Sequence, residues 1–120
     1  MKKRYVVSRY SGTKREIKFN VKVAKYMARL VLGQGFMPVV PHIYFTQFLD
    51  DMNYYERKTG TEMGLELLKE CDSALIVIID GKISKGMHAE IEYIEEVGMP
   101  FNILSMTKAE MKALLREGGV

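Results

Sequence analysis

The sequence predicts an α/β fold: a three-layer α/β/α sandwich around a parallel, flavodoxin- or Rossmann-like sheet of four to five strands. Three observations predict it. Residues 74–79, Ala-Leu-Ile-Val-Ile-Ile, are apolar without alternation, as a strand covered on both faces requires. Short β-rich runs alternate with longer stretches of helical periodicity. No linker, repeat or low-complexity stretch interrupts the alternation, so residues 1–120 read as a single domain.

The elements follow in order. Residues 5–8, Tyr-Val-Val-Ser, form a first strand, and residues 9–13 a polar, glycine-containing loop. A helix begins between residues 17 and 20, with Val21, Ala24, Met27, Ala28 and Val31 on one face at spacings of three and four. Gly33 and Gly35 end it. Residues 37–40 form a second strand closed by Pro41, and residues 42–49 are aromatic-rich and irregular. A helix over 55–70 carries Met63, Leu67 and Leu68 inward. The central strand over 74–79 is followed by the loop 80–84 and a helix over 85–97 that stops at Gly98. Residues 101–104 form the fourth strand. Thr107 and Glu110 make a capping box for a last helix that runs to Arg116 and ends at Gly118-Gly119. Strands separated by helices of this length pair in parallel through right-handed crossovers. Ligands of such sheets bind outside the carboxyl ends of the strands, so the loops 8–13, 41–48 and 80–86 and the one after Leu104 carry the functional expectation.

Composition removes several classes. A single cysteine, Cys71, excludes an internal disulfide and suits a reducing, cytoplasmic setting. Two separated histidines and one cysteine do not supply a zinc or iron–sulfur ligand set, so no metal is expected. No apolar run approaches the roughly 18 residues of a membrane span, and the three apolar residues behind Met1-Lys2-Lys3-Arg4 are too few for a signal peptide. A net charge of +3 does not argue for nucleic acid, and no helix-turn-helix or RNA-binding signature is present. The basic residues crowd the first 25 positions, against Glu16 alone. That distribution suits solvated faces first, and as the sharper reading a basic edge that attracts a small phosphate-bearing ligand.

The loop after the central strand is the richest in chemistry. Ser84 and Gly86 at a helix start suit an anion, because free amide groups and the helix dipole point outward there. Ser84 would serve equally as a plain helix cap. Glu90 lies between one and two turns further along, either exposed or turned toward the crevice.

The run Ser84-x-Gly86-x-x-x-Glu90 behind an apolar strand resembles the nucleoside 2-deoxyribosyltransferase superfamily. It is similar in particular to the 2′-deoxynucleoside 5′-monophosphate N-glycosidases and to small uncharacterised bacterial and phage domains of that superfamily. The opening Tyr5-Val6-Val7-Ser8-Arg9-Tyr10-Ser11-Gly12 and the run from Pro41-His42 to Asp50-Asp51 carry the same resemblance, which spans residues 5–104. It implies Glu90 as the nucleophile at the anomeric carbon, and Ser84 and Gly86 as contacts to a 5′-phosphate. It implies Ser8, Arg9 and Gly12 as lining for the phosphate or sugar pocket, and His42 near the base. Met87 is expected to wall the same pocket. Many transferases carry an aspartate where this chain has Ser84, a departure toward the phosphate-binding branch.

The chemistry suits these residue types. Cleavage of an N-glycosidic bond develops oxocarbenium character, which a carboxylate on the opposite face stabilises or captures. A second group protonates the departing base. Asp72 begins the central strand, at the end away from the crevice, and neither Glu62 nor Glu66 aligns with the family's second acid. No cofactor is expected, and the resemblance implies a homo-oligomer, dimer or tetramer, with the aromatic segment 44–55 as its contact. Two functions stay open: cleavage or transfer at the N-glycosidic bond of a (deoxy)nucleoside or its 5′-monophosphate, or nucleotide binding without chemistry.

Overall fold

The first strand, β1 (Lys3–Val7), is followed by α1 (Lys14–Gly33), β2 (Met37–Val39), α2 (Pro41–Tyr44) and a 3₁₀ turn (Phe45–Gln47). Then come α3 (Tyr54–Lys69), β3 (Ser73–Ile79), α4 (Lys85–Val97), β4 (Phe101–Met106) and α5 (Lys108–Gly118). These elements come from a computed structural model, which describes residues 1–50 and 52–118. Asp51 of the second quoted run and Gly119 of the expected helix stop lie outside the described residues.

All pairings are parallel, and the strand order is β2-β1-β3-β4. Tyr5 pairs with Val39 on one side and with Ala74 on the other, which places β1 in the interior of the sheet. The chain winds from β1 outward to β2, then crosses back to β3 and β4. The winding direction therefore changes between β1 and β3, and the crevice of an open α/β sheet opens at that point. The four-strand sheet with helices on both faces is the predicted architecture.

Side-chain alternation along the strands divides the core into two layers. Tyr5, Val7, Ala74 and Ile76 meet Leu68, Met87 and Ile94 beneath α3 and α4. Val6, Leu75 and Val77 meet Val23, Met27, Val31 and Met111 beneath α1 and α5. The central strand is covered on both faces, as its unbroken apolar run predicts.

The boundaries depart from expectation at several places, beginning with β1, which runs over Lys3–Val7 rather than residues 5–8. Helix α1 starts at Lys14, because Thr13 and Glu16 form a capping box. Its buried stripe is Asn20, Val23, Ala24, Met27 and Val31, so Val23 takes the inward place that Val21 was expected to fill. β2 stops at Val39, since Val40 precedes Pro41 as the cap of α2. β4 continues to Met106, because it pairs with the whole of β3 out to Ile79. In α3, Gly64 and Leu68 are the buried positions, and Met63 and Leu67 are only partly covered.

Candidate active site at the sheet's carboxyl edge

A cavity of about 410 Å³ opens where the winding reverses, at the carboxyl end of β1. Its walls come from the loop after β1, from α2 and the 3₁₀ turn, from one face of α3, and from the start of α4. Its size falls in the range of small-molecule sites.

Glu90 lies on this cavity's wall. It is partly buried, and the Tyr5 hydroxyl on β1 donates to its Oε2. Burial pushes the Glu90 carboxyl up to about 7, and the Tyr5 hydrogen bond opposes that rise. Tyr5 is driven well above its ordinary range, first by burial and then by the charge of Glu90, so it stays a donor. The pair is held closely because α3 presents glycine to β1. A Cβ at Gly64 would stand 3.3 Å from the Tyr5 hydroxyl.

Helix α4 starts at the same cavity. Ser84 caps it, accepting from the Met87 amide at 3.3 Å. Ser84, Lys85 and Gly86 line the cavity, and Met87 is buried beside them. A side chain at Gly86 would meet nothing within 4 Å, so the space above the first turn is open. The start of α4 thus combines outward amides, a cation and room for a ligand.

His42 lies on the opposite wall. Its Nε2 contacts the Ser8 carbonyl oxygen at 2.8 Å, and a carbonyl only accepts, so Nε2 carries the proton. Its ring stacks on Tyr10 at 5.2 Å between centroids, and Thr46 Oγ1 donates to its carbonyl. The contact ties the loop after β1 to α2.

Six of the sequence-identified residues therefore share one cavity: Ser8, His42, Ser84, Gly86, Met87 and Glu90. Arg9 lines a smaller cavity on the other face of the sheet instead. Gly12 lines neither; its φ of 154° serves the loop ahead of α1, where a Cβ would stand 2.9 Å from Glu16 Cβ. The sequence reading passed over Tyr5, whose signal is a phenol on an interior strand that needs a buried partner. It also passed over Glu56, Arg57, Gly60 and Thr61, which α3 brings to the cavity. Their helical register gave no cue, because the α3 face toward the cavity is polar and small rather than apolar. Among the aromatics, Phe45 lines the cavity, while Tyr44, Phe48, Tyr54 and Tyr55 are exposed. Among the described residues, no group of three or more His, Cys, Asp or Glu is placed to hold a metal ion. No helix among them is long and apolar enough to cross a membrane.

The all-parallel sheet with a cavity at its winding reversal defines an open α/β sandwich protein. A solved 2-deoxyribosyltransferase from the psychrotolerant bacterium Bacillus psychrosaccharolyticus superposes with a TM-score of 0.67 at 17% identity, covering 86% of this chain and 72% of that one. The chain belongs to the DUF7768 family, a domain of unknown function, whose model matches residues 2–104. No curated protein matches it.

Proposed function

We propose that residues 1–120 act as a single nucleoside 2-deoxyribosyltransferase-like domain that cleaves or transfers at the N-glycosidic bond of a (deoxy)nucleoside or its 5′-monophosphate. The observation that carries this reading is the Tyr5–Glu90 pair in the wall of a cavity at the winding reversal. In its ionised form Glu90 attacks the anomeric carbon and the C–N bond breaks. The base departs with the bonding electrons and takes up a proton. Water or a second base then displaces the carboxylate, which regenerates Glu90. The Tyr5 hydroxyl orients the carboxylate and keeps enough of it ionised near neutral pH. Ser84, Gly86 and Lys85 at the start of α4 suit the 5′-phosphate, which supports the N-glycosidase branch over the free-nucleoside transferases.

The solved neighbour is named a 2-deoxyribosyltransferase, which agrees with nucleosides as the substrate class. The cavity volume suits a free nucleotide rather than a nucleic-acid chain. The exposed aromatics Tyr44, Phe48, Tyr54 and Tyr55 suit a contact between copies in a homo-oligomer. The free Cys71 suits action in the cytoplasm.

A second reading, nucleotide binding without turnover, rests on the acid. Besides Glu90, the carboxylate lining the cavity is Glu56, and its Oε1 accepts the Asp50 amide at 3.1 Å. That oxygen is engaged in the loop rather than presented to a leaving base.

Release of free base from a panel of deoxynucleosides and their 5′-monophosphates separates the readings. Wild type releasing base and Glu90→Ala releasing none supports the enzyme. Tight nucleotide binding by calorimetry with no base released supports the binding module.

A further inference from the structure

The smaller cavity, about 80 Å³, lies on the α1/α5 face of the sheet, at the same carboxyl edge. Val77 and Ile79 form its apolar floor. Arg9, Lys82 and Lys108 stand around it. None of these three side chains forms a hydrogen bond or ion pair with another described residue. Lys108 Nζ lies 5.2 Å from the Phe19 ring centroid. With Glu16 and Asp80 also in its lining, the space keeps one positive charge in excess, which an anion would meet.

Ser8 supplies an independent observation. It is 4% exposed, lines this cavity, and its Oγ is the buried side-chain polar atom without a hydrogen-bond partner among the described residues. Ser8 directly follows β1 and lines both cavities. Its carbonyl belongs to the His42 contact in the large cavity. A buried hydroxyl left without a partner carries a desolvation cost that a bound ligand removes.

Two carboxylates also border the space, and both are engaged in caps. Glu16 Oε1 accepts the Thr13 amide at 3.0 Å, and Asp80 Oδ1 accepts the Lys108 amide at 2.9 Å. Those amide bonds leave both charges in place, and Arg9 and Lys108 act on Glu16, so the space holds three cations against two carboxylates. The volume holds one tetrahedral oxyanion, or about two to three waters by their liquid volume.

We infer that this second cavity binds a single oxyanion group, inorganic phosphate or the phosphate of a small monoester, between Arg9, Lys82 and Lys108, with the Ser8 hydroxyl donating to it. The site is separate from the Glu90 chemistry and stands whether or not the chain releases base.

Calorimetric titration of the full chain tests it, with inorganic phosphate and glycerol phosphate as separate probes at ionic strength matched with chloride. The expected result is a phosphate site, distinct from any at the start of α4, that Lys82→Gln and Lys108→Gln each weaken about tenfold. Ser84→Asp and Glu90→Gln leave that site unchanged, and circular dichroism melts establish that each variant is folded. Equal binding of glycerol phosphate makes the monoester group the ligand, and binding of inorganic phosphate alone makes it the free ion. No binding of either probe beyond the chloride control overturns the inference. So does a site indifferent to both lysine variants and lost in Ser84→Asp, since that places the anion in the large cavity.

Discussion

Tyr5 on β1 and Glu90 on α4 lie 85 positions apart in sequence and share a hydrogen bond in the wall of the large cavity. The tyrosine is fixed by the sheet and buried, so the donor cannot be replaced by water without opening the core. Removing only the hydroxyl therefore tests the pair cleanly. Tyr5→Phe takes away the one interaction that holds the Glu90 carboxyl down against burial. The expected outcome is a Glu90 titration displaced upward from about 7, read by carbon-detected NMR of the side-chain carboxyl. If base is released, its rate midpoint moves to higher pH by the same amount. An unmoved titration would mean that the hydroxyl does not favour the charged form.

Glu90 also makes stability depend on pH in a stated direction. Its carboxyl is raised from 4.5 to about 7 in the folded chain. Below the lower value it is protonated in folded and unfolded chains alike. Between the two values only the folded chain keeps the proton, so stability falls as pH rises. Above the upper value the full cost of burying the charge is present, up to about 3 kcal/mol. Glu90→Gln keeps an acceptor for Tyr5 and removes the charge. Urea unfolding should show the variant more stable than wild type at pH 8, with the difference shrinking toward zero by pH 4.5. A variant that is less stable at pH 8 sinks this account.

The sheet, its helical layers and the cavity's location were legible because they depend on patterns that a linear reading detects. The apolar run of β3 requires cover on both faces, and four strand–helix alternations leave few topologies. Ser84 and Gly86 were legible because helix-start chemistry is local, and Glu90 was legible through the family resemblance, since its spacing alone left it either exposed or turned toward the crevice. Tyr5 and α3 were not. Tyr5 reads as one more aromatic on a strand until the chain brings Glu90 beneath it. The cavity face of α3 is built on Gly60 and Thr61, where small size rather than hydrophobicity does the positioning, and a periodicity search passes over that. The family resemblance assigned Arg9 to the large cavity. The loop after β1 turns it to the other face, a turn that residue types do not encode.

Gly64 gives a test of the Tyr5–Glu90 pair that alters neither residue. In an exposed helix interior, Gly→Ala is worth about 1 kcal/mol of helix stability. At Gly64 the added methyl stands 3.3 Å from the Tyr5 hydroxyl, closer than ordinary contact, and must push it. At Gly60 the added methyl meets only Leu49 Cδ1 at 3.4 Å, the end of a flexible side chain. Gly60→Ala is therefore expected to raise thermal stability and leave the Glu90 titration in place. Gly64→Ala is expected to gain less stability and to shift the titration. Identical behaviour of the two variants would show that α3 does not set the position of the Tyr5 hydroxyl.

Ser84 separates capping from anion binding, because its two roles respond oppositely to charge. As the cap of α4 it accepts the Met87 amide, and Ser84→Ala should cost about 1 kcal/mol in denaturant unfolding. Aspartate is as good a cap as serine and its charge suits the positive end of the helix dipole, so Ser84→Asp should match wild-type stability within about 0.5 kcal/mol. A 5′-phosphate seated at the start of α4 would meet that charge directly. Ser84→Asp should then lose nucleoside monophosphate binding by more than tenfold, roughly 1.4 kcal/mol, while a free nucleoside binds as before. Ser84→Ala should show the reverse pattern, a weaker fold with most of its nucleotide affinity retained, because the outward amides remain. Calorimetry with paired nucleoside and monophosphate ligands reads the difference. Equal losses for both ligands in Ser84→Asp would show that the phosphate does not lie at the start of α4.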